Sequence, residues 1–82
     1  MAKTFHLTIA KVGENLFEGE ALSVTLPGIE GVFTIMAGHE AFVSPLKEGE
    51  AVVTDASGSV LKLPLSGGGI AEISGGQATV LL

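Results

Sequence analysis

The sequence contains no cysteine, no arginine, no tryptophan and no tyrosine. Without cysteine there is neither a disulfide nor a thiolate metal ligand, so packing alone must hold the chain together. Four lysines stand against nine acidic residues, a net charge of -5. A surface so poor in cations cannot displace the counterions on which nucleic-acid binding depends, nor grip anionic lipid headgroups. The longest run free of charge, Ile73 to Leu82, carries Gly75 and Gly76 and is about half of the roughly 20 residues a membrane-spanning helix needs. The start TFHLTIAK has no continuous apolar region followed by a small-residue cleavage site, which predicts an unprocessed cytoplasmic N-terminus. A chain of 82 residues buries only about two-thirds of its unfolded surface. One domain over residues 1–82, around one core, is therefore expected.

Hydrophobic residues, by contrast, are plentiful at 46%. In a domain with so little interior, surplus apolar surface predicts a partner. Phe5, Leu7 and Ile9 alternate with His6, Thr8 and Ala10, the two-residue period of a half-buried strand with His6 facing outward. Leu22, Val24 and Leu26 repeat the pattern, and Pro27-Gly28 reads as its stop. A further strand starts at EGVFTIM, and Ala51–Thr54 and Leu61–Leu65 flank the turn DASGS as a hairpin. Pro64 cannot donate to a ladder, which predicts an edge or a bulge there. SGGQ reverses the chain between Ile70–Ile73 and Ala78–Leu82. No run of ten residues has the 3.6-residue period of a helix, and 12 glycines and three prolines punctuate the chain at strand-length intervals. The expected fold is all-β: an antiparallel β-sandwich or flattened barrel of about eight to ten short strands.

The residues that could carry chemistry are few. His39 and Glu40 are neighbours, yet adjacent side chains of an extended segment point to opposite faces. With only His6 and His39 available, no three-ligand nitrogen site can be built. Ser44 and Ser66 lack the sequence setting of an activated nucleophile. SGGGI at Ser66–Ile70 has the glycines of a phosphate cradle without its lysine or the helix that follows one. Those glycines fit a bulge or a strand crossover better. No metal, cofactor or catalytic residue is expected.

Three stretches in order carry a family resemblance. Gly31, Ile35, Gly38, His39, Leu46, Lys47 and Gly49 match a pattern of glycine, short apolar strand, Gly-His and an apolar run ending in Lys-x-Gly. Ser66–Gly68, Glu72 and Thr79–Leu81 match SGG with its following strand and a terminal TVL, and the start agrees through TFHLTI and LFEGEA. The chain resembles the N-terminal domain of the ATP synthase epsilon subunit, called delta in mitochondria. It departs at Ala37 and Ala41, where the family commonly has proline, and at Val32, where an acidic residue is common. It also stops where the family usually continues into a helical hairpin.

The resemblance implies a noncatalytic central-stalk rotor part of F-type ATP synthase, joining the gamma subunit to the membrane c-ring and supporting the coupling of proton translocation to ATP synthesis. It implies a peripheral place at the cytoplasmic face of the bacterial plasma membrane, or at a thylakoid or mitochondrial inner membrane. It places the c-ring-facing surface at Ile29, Glu30, Gly31, Val32, Phe33, Gly38 and His39, and the gamma-facing surface at Phe42, Val43 and Val80. The alternative is a free-standing small β-domain that binds a ligand or glycan. Exposed tryptophan or tyrosine would favour it, and the only aromatics besides histidine are four phenylalanines.

Overall fold

The computed structural model describes residues 3–82. They form eight strands and no helix: β1 Phe5–Lys11, β2 Glu14–Gly28, β3 Gly31–Met36, β4 Phe42–Pro45, β5 Gly49–Asp55, β6 Val60–Leu65, β7 Ile70–Ser74 and β8 Gln77–Leu81. The two-residue alternation read from the sequence is the alternation of burial on β1, β5 and β7, whereas on β2 Ala21 is buried and Leu22 only half-buried, and on β6 Leu61 is exposed. Phe5, Leu7 and Ile9 are buried along β1, Ala51 and Val53 along β5, and Ala71 and Ile73 along β7.

Hydrogen-bonded neighbours run β4-β7-β8-β1-β2-β5-β6, with β3 on β2. The 15 residues of β2 make this path into two layers. Its first half pairs with β1, from Lys11 against Glu14 to Phe5 against Ala21. Its second half pairs with β5 through Thr25 and with β3 from Ser23 to Gly28. The register against β5 shifts between Ala21 and Ser23, a bulge where the strand leaves one layer for the other. Leu7, Ile9, Ile73 and Val80 of one layer then meet Val24, Leu26, Ile35 and Val53 of the other in one core cluster. Each such side chain contributes about 1.5–3 kcal/mol by leaving water.

Two features differ from the sequence expectation. The sheet is mixed, because β1 and β8 pair in parallel, from His6 against Gln77 to Ala10 against Leu81; all other strand pairs are antiparallel. Nor does Pro27-Gly28 stop its strand: β2 runs through both, with Pro27 opposite Val32 and Gly28 opposite Gly31. Gly28 and Gly31 close a two-residue turn, so ladder bonds fall at Gly28 and Leu26, and Pro27 sits where β3 asks for no N–H. Its carbonyl points the other way and accepts from the Lys47 N–H at 2.9 Å.

Pro64 lies on β6, which ends the strand order, in agreement with its edge reading. Ser66–Gly69 is the crossover between layers. Gly67 and Gly68 take φ of 101° and 80°, and a Cβ on Gly69 would lie 2.7 Å from the Leu81 carbonyl oxygen. Left-handed backbone and close approach both require glycine there. The principal extents are 35 × 24 × 20 Å.

Candidate functional site

The β2–β3 turn consists of Ile29 and Glu30. Gly28 allows the turn to close under Phe33: a Cβ at Gly28 would meet the Gly31 carbonyl oxygen at 2.8 Å and the Phe33 ring at 2.9 Å. The Phe33 ring meets Phe42 edge-on, with centroids 5.3 Å apart and planes at 71°, a favourable arrangement for two aromatic quadrupoles. The Ile29 N–H donates to the Pro45 carbonyl at 3.1 Å and Gly28 bridges to Leu46, which fixes the far end of β4 beside the turn. Between them lies an open groove of about 410 Å³, with Ile29 to Phe33 on one wall and Phe42 to Pro45 on the other.

Its lining is mainly apolar. Val32 is 70% exposed, Val43 57% and Ile29 56%, while Glu30 supplies the one charged side chain. Such a surface accepts an apolar partner, and a cation where it passes Glu30. Gly38 and His39 lie beyond Phe42, on the connection from β3 to β4, where Gly38 has φ of 85°. The His39 ring stands 5.7 Å from that of Phe42. The His39 N–H donates to the Met36 carbonyl at 3.2 Å, and Nδ1 lies 2.8 Å from the Glu40 carbonyl oxygen. A carbonyl can only accept, so in this contact Nδ1 is the donor. His39 thus bonds to the backbone of Glu40 and packs against Phe42.

The structure brings together Ile29, Glu30, Gly31, Val32, Phe33, Phe42 and Val43 in the groove and sets Gly38 and His39 beside it. Val80 is the correction. It is fully buried in the core, because β8 alternates Ala78 and Val80 inward with Thr79 and Leu81 outward. An inward side chain cannot meet a partner. The same alternation would have pointed to Leu81, which is exposed and stands opposite Ile70, itself opposite Pro45. This cross-strand apolar row on the outer face was missed.

The model of the family described as ATP synthase, delta/epsilon chain, beta-sandwich domain, matches residues 4–82. The chain belongs to this family. A relative named ATP synthase epsilon chain, from Bradyrhizobium sp. strain BTAi1, is 41% identical over 78 residues, 95% of this chain and 56% of the relative. Another of that name, from Chlorobium limicola, is 35% identical over 79 residues, 96% of this chain and 89% of the relative. The chain thus spans little more than half the length of the first relative and most of the second. Among solved structures, a chain in the Euglena gracilis mitochondrial ATP synthase, described as OSCP/F1/c-ring, superposes with a TM-score of 0.87 at 25% identity, covering 95% of this chain and 49% of that one. A chain in the Tetrahymena thermophila mitochondrial ATP synthase central stalk and c-ring shares the fold, with a TM-score of 0.77 at 11% identity. The family's β-sandwich is, in this member, the pair of layers that share β2.

Proposed function

We propose that the chain is a noncatalytic part of the central stalk of an F-type ATP synthase, held between the gamma subunit and the c-ring and supporting the coupling of proton translocation to ATP synthesis. The observation that carries this reading is the groove between the β2–β3 turn and β4, where apolar side chains stand in water beside two aromatic rings. Permanent interfaces are large and hydrophobic, like a core cut in half. Family membership supplies the partners, since the Euglena relative is part of an assembly that contains F1 and the c-ring.

Ile29, Glu30, Gly31, Val32, Phe33, Gly38 and His39 would face the c-ring, and Phe42 and Val43 would face gamma. Val80 has no part in the contact, being buried. The place would be peripheral, at the cytoplasmic face of a bacterial plasma membrane or at the equivalent organelle membrane. Torque would pass through a stiff body with no cofactor or chemistry of its own. A sandwich whose longest extent is 35 Å, docked at the foot of the stalk, would act away from the catalytic head.

Reconstitution with and without the chain tests this reading. ATP hydrolysis by the soluble head should change little on adding it, and ATP-driven proton pumping by the whole assembly should appear only with it. Strong inhibition of the soluble head by these 82 residues would overturn the reading.

A further inference from the structure

Among the described residues, three strands have a side with no ladder partner along their length: β3, β4 and β6. An open edge is a template for unwanted pairing, which proteins suppress with lysine, proline, short strands or a bulge. β6 carries Lys62 and Pro64. β4 has four residues and ends on Pro45, whose carbonyl is taken by Ile29. β3, GVFTIM, has six residues, with neither lysine nor proline.

The register shows which backbone groups β3 leaves open. Gly31, Phe33 and Ile35 stand opposite Gly28, Leu26 and Val24 and exchange the ladder bonds with them, so the N–H and C=O of Val32 and Thr34 point away from β2. Met36 follows the same side, and its carbonyl accepts from the His39 N–H, which closes the ladder at that end. The Val32 and Met36 side chains, 70% and 60% exposed, flank this open row, and the groove adjoins it.

We propose that β3 is an acceptor edge: an extended, β-branched segment of a partner protein, carrying a lysine or arginine, adds to it as a further strand. This inference rests on the docking role given above and specifies how the contact is made. Main-chain bonds to Val32, Thr34 and the Met36 N–H give the affinity, and the groove beside Phe33 and Phe42 takes side chains of the incoming strand, the general logic of strand addition. Charge chooses the occupant. Glu30 adjoins the strand and lines the groove, and no lysine lies between Val12 and Leu46. A second copy brings a net charge of -5 of its own, so pairing two copies through β3 would set like-charged surfaces side by side, which disfavours self-pairing. A cationic segment of a different chain meets Glu30 favourably.

The test is amide hydrogen exchange on the chain alone and assembled onto a stalk and c-ring complex stripped of its own copy, together with the affinities of Thr34→Pro and Thr34→Ala for that complex. Thr34→Pro removes an N–H that β2 does not use, whereas Thr34→Ala removes the same side chain and keeps the N–H. Exchange at Val32, Thr34 and Met36 should slow by at least about tenfold on assembly, and Thr34→Pro should bind at least about tenfold more weakly than Thr34→Ala, as loss of one buried bond and its register implies. Tight assembly with these amides still exchanging freely, or equal binding by the two folded variants, would overturn strand addition and leave the docking role standing. Failure of the wild-type chain to assemble would overturn both. Should Thr34→Pro not fold, the wild-type exchange pattern decides alone. Protection of the three amides in the free chain at high concentration would show a second copy on the edge and would also overturn the proposal.

Discussion

Two turns of this sandwich solve the same geometric problem in opposite ways. Between β5 and β6, Asp55 accepts at a single carboxylate oxygen from the Ser57 N–H at 2.9 Å, the Ser57 hydroxyl at 2.7 Å and the Ser59 N–H at 3.0 Å. Two backbone bonds, from Asp55 to Ser59 and from Gly58 to Asp55, complete it. The Ser57 hydroxyl foremost, with the Ser59 N–H next, holds the Asp55 carboxyl below its ordinary pKa. Between β2 and β3, Ile29 and Glu30 make no side-chain hydrogen bond among the described residues, and the apolar surface around them stays exposed. The first turn satisfies its own polar groups and needs nothing from outside. The second leaves apolar area in water, which becomes favourable only when a partner covers it.

If the two turns differ only locally, they must still share one core. Leu26 is fully buried on the strand that leads into the Ile29 turn, two residues from Val24, which faces Val53 of β5. Leu26→Ala should cost about 3 kcal/mol, the usual range for a leucine cavity, and should melt both ends in one transition. Urea unfolding followed at both turns would reveal separate midpoints if the ends were independent.

A groove residue should instead separate binding from stability. Phe42 is 39% exposed, so Phe42→Ala should weaken assembly with gamma by about 2 kcal/mol, as a central apolar anchor does, while the domain stays folded. Calorimetry against gamma and circular dichroism of the variant check the two halves. An unfolded variant would make Phe42 a core residue and leave Val43 as the anchor.

The smallest effect belongs to the polar turn. Because the folded-state pKa of Asp55 is depressed, its contribution is present above the unfolded-state value and is lost as pH falls through the folded one. Acid should therefore loosen the Asp55–Ser59 turn in a way that Asp55→Asn abolishes, with gamma binding unchanged at neutral pH. Amide resonances of Ser57 and Ser59 across an acid titration report it. A fall in binding by Asp55→Asn would mean that the polar turn is also part of the interface.

Much of this was legible in the chain because alternation is local. Phe5, Leu7 and Ile9 point inward for the reason their spacing gives, and Pro64 marks an edge because it has no N–H. Pairing direction is not local: the period of Ala78, Thr79, Val80 and Leu81 is the same beside a parallel or an antiparallel neighbour, so the β1–β8 ladder left no trace. The length of β2 was hidden twice. Leu16 and Phe17 are adjacent and break the alternation, next to an irregularity opposite Ile9 and Ala10. Pro27 looked like a stop until the register put it where no donor was needed. The groove was legible only as a resemblance, since nothing in the spacing of Ile29 and Phe42 says that they share a groove. Val80 was misplaced although its own alternation with Leu81 held the answer.

The parallel ladder between β1 and β8 also governs how the fold is reached. It joins the first and last strands of the sandwich, so its contacts have the largest sequence separation among the described strand pairs, the kind that slows folding through the cost of closing a long loop. On a ribosome the chain emerges in order. Until Gln77–Leu81 is free, β1 is paired on one side only, and Leu7 and Ile9 lack the strand that carries Ala78 and Val80. The nascent sandwich thus holds an uncompleted sheet until β8 emerges, and β8 is the strand that seals it.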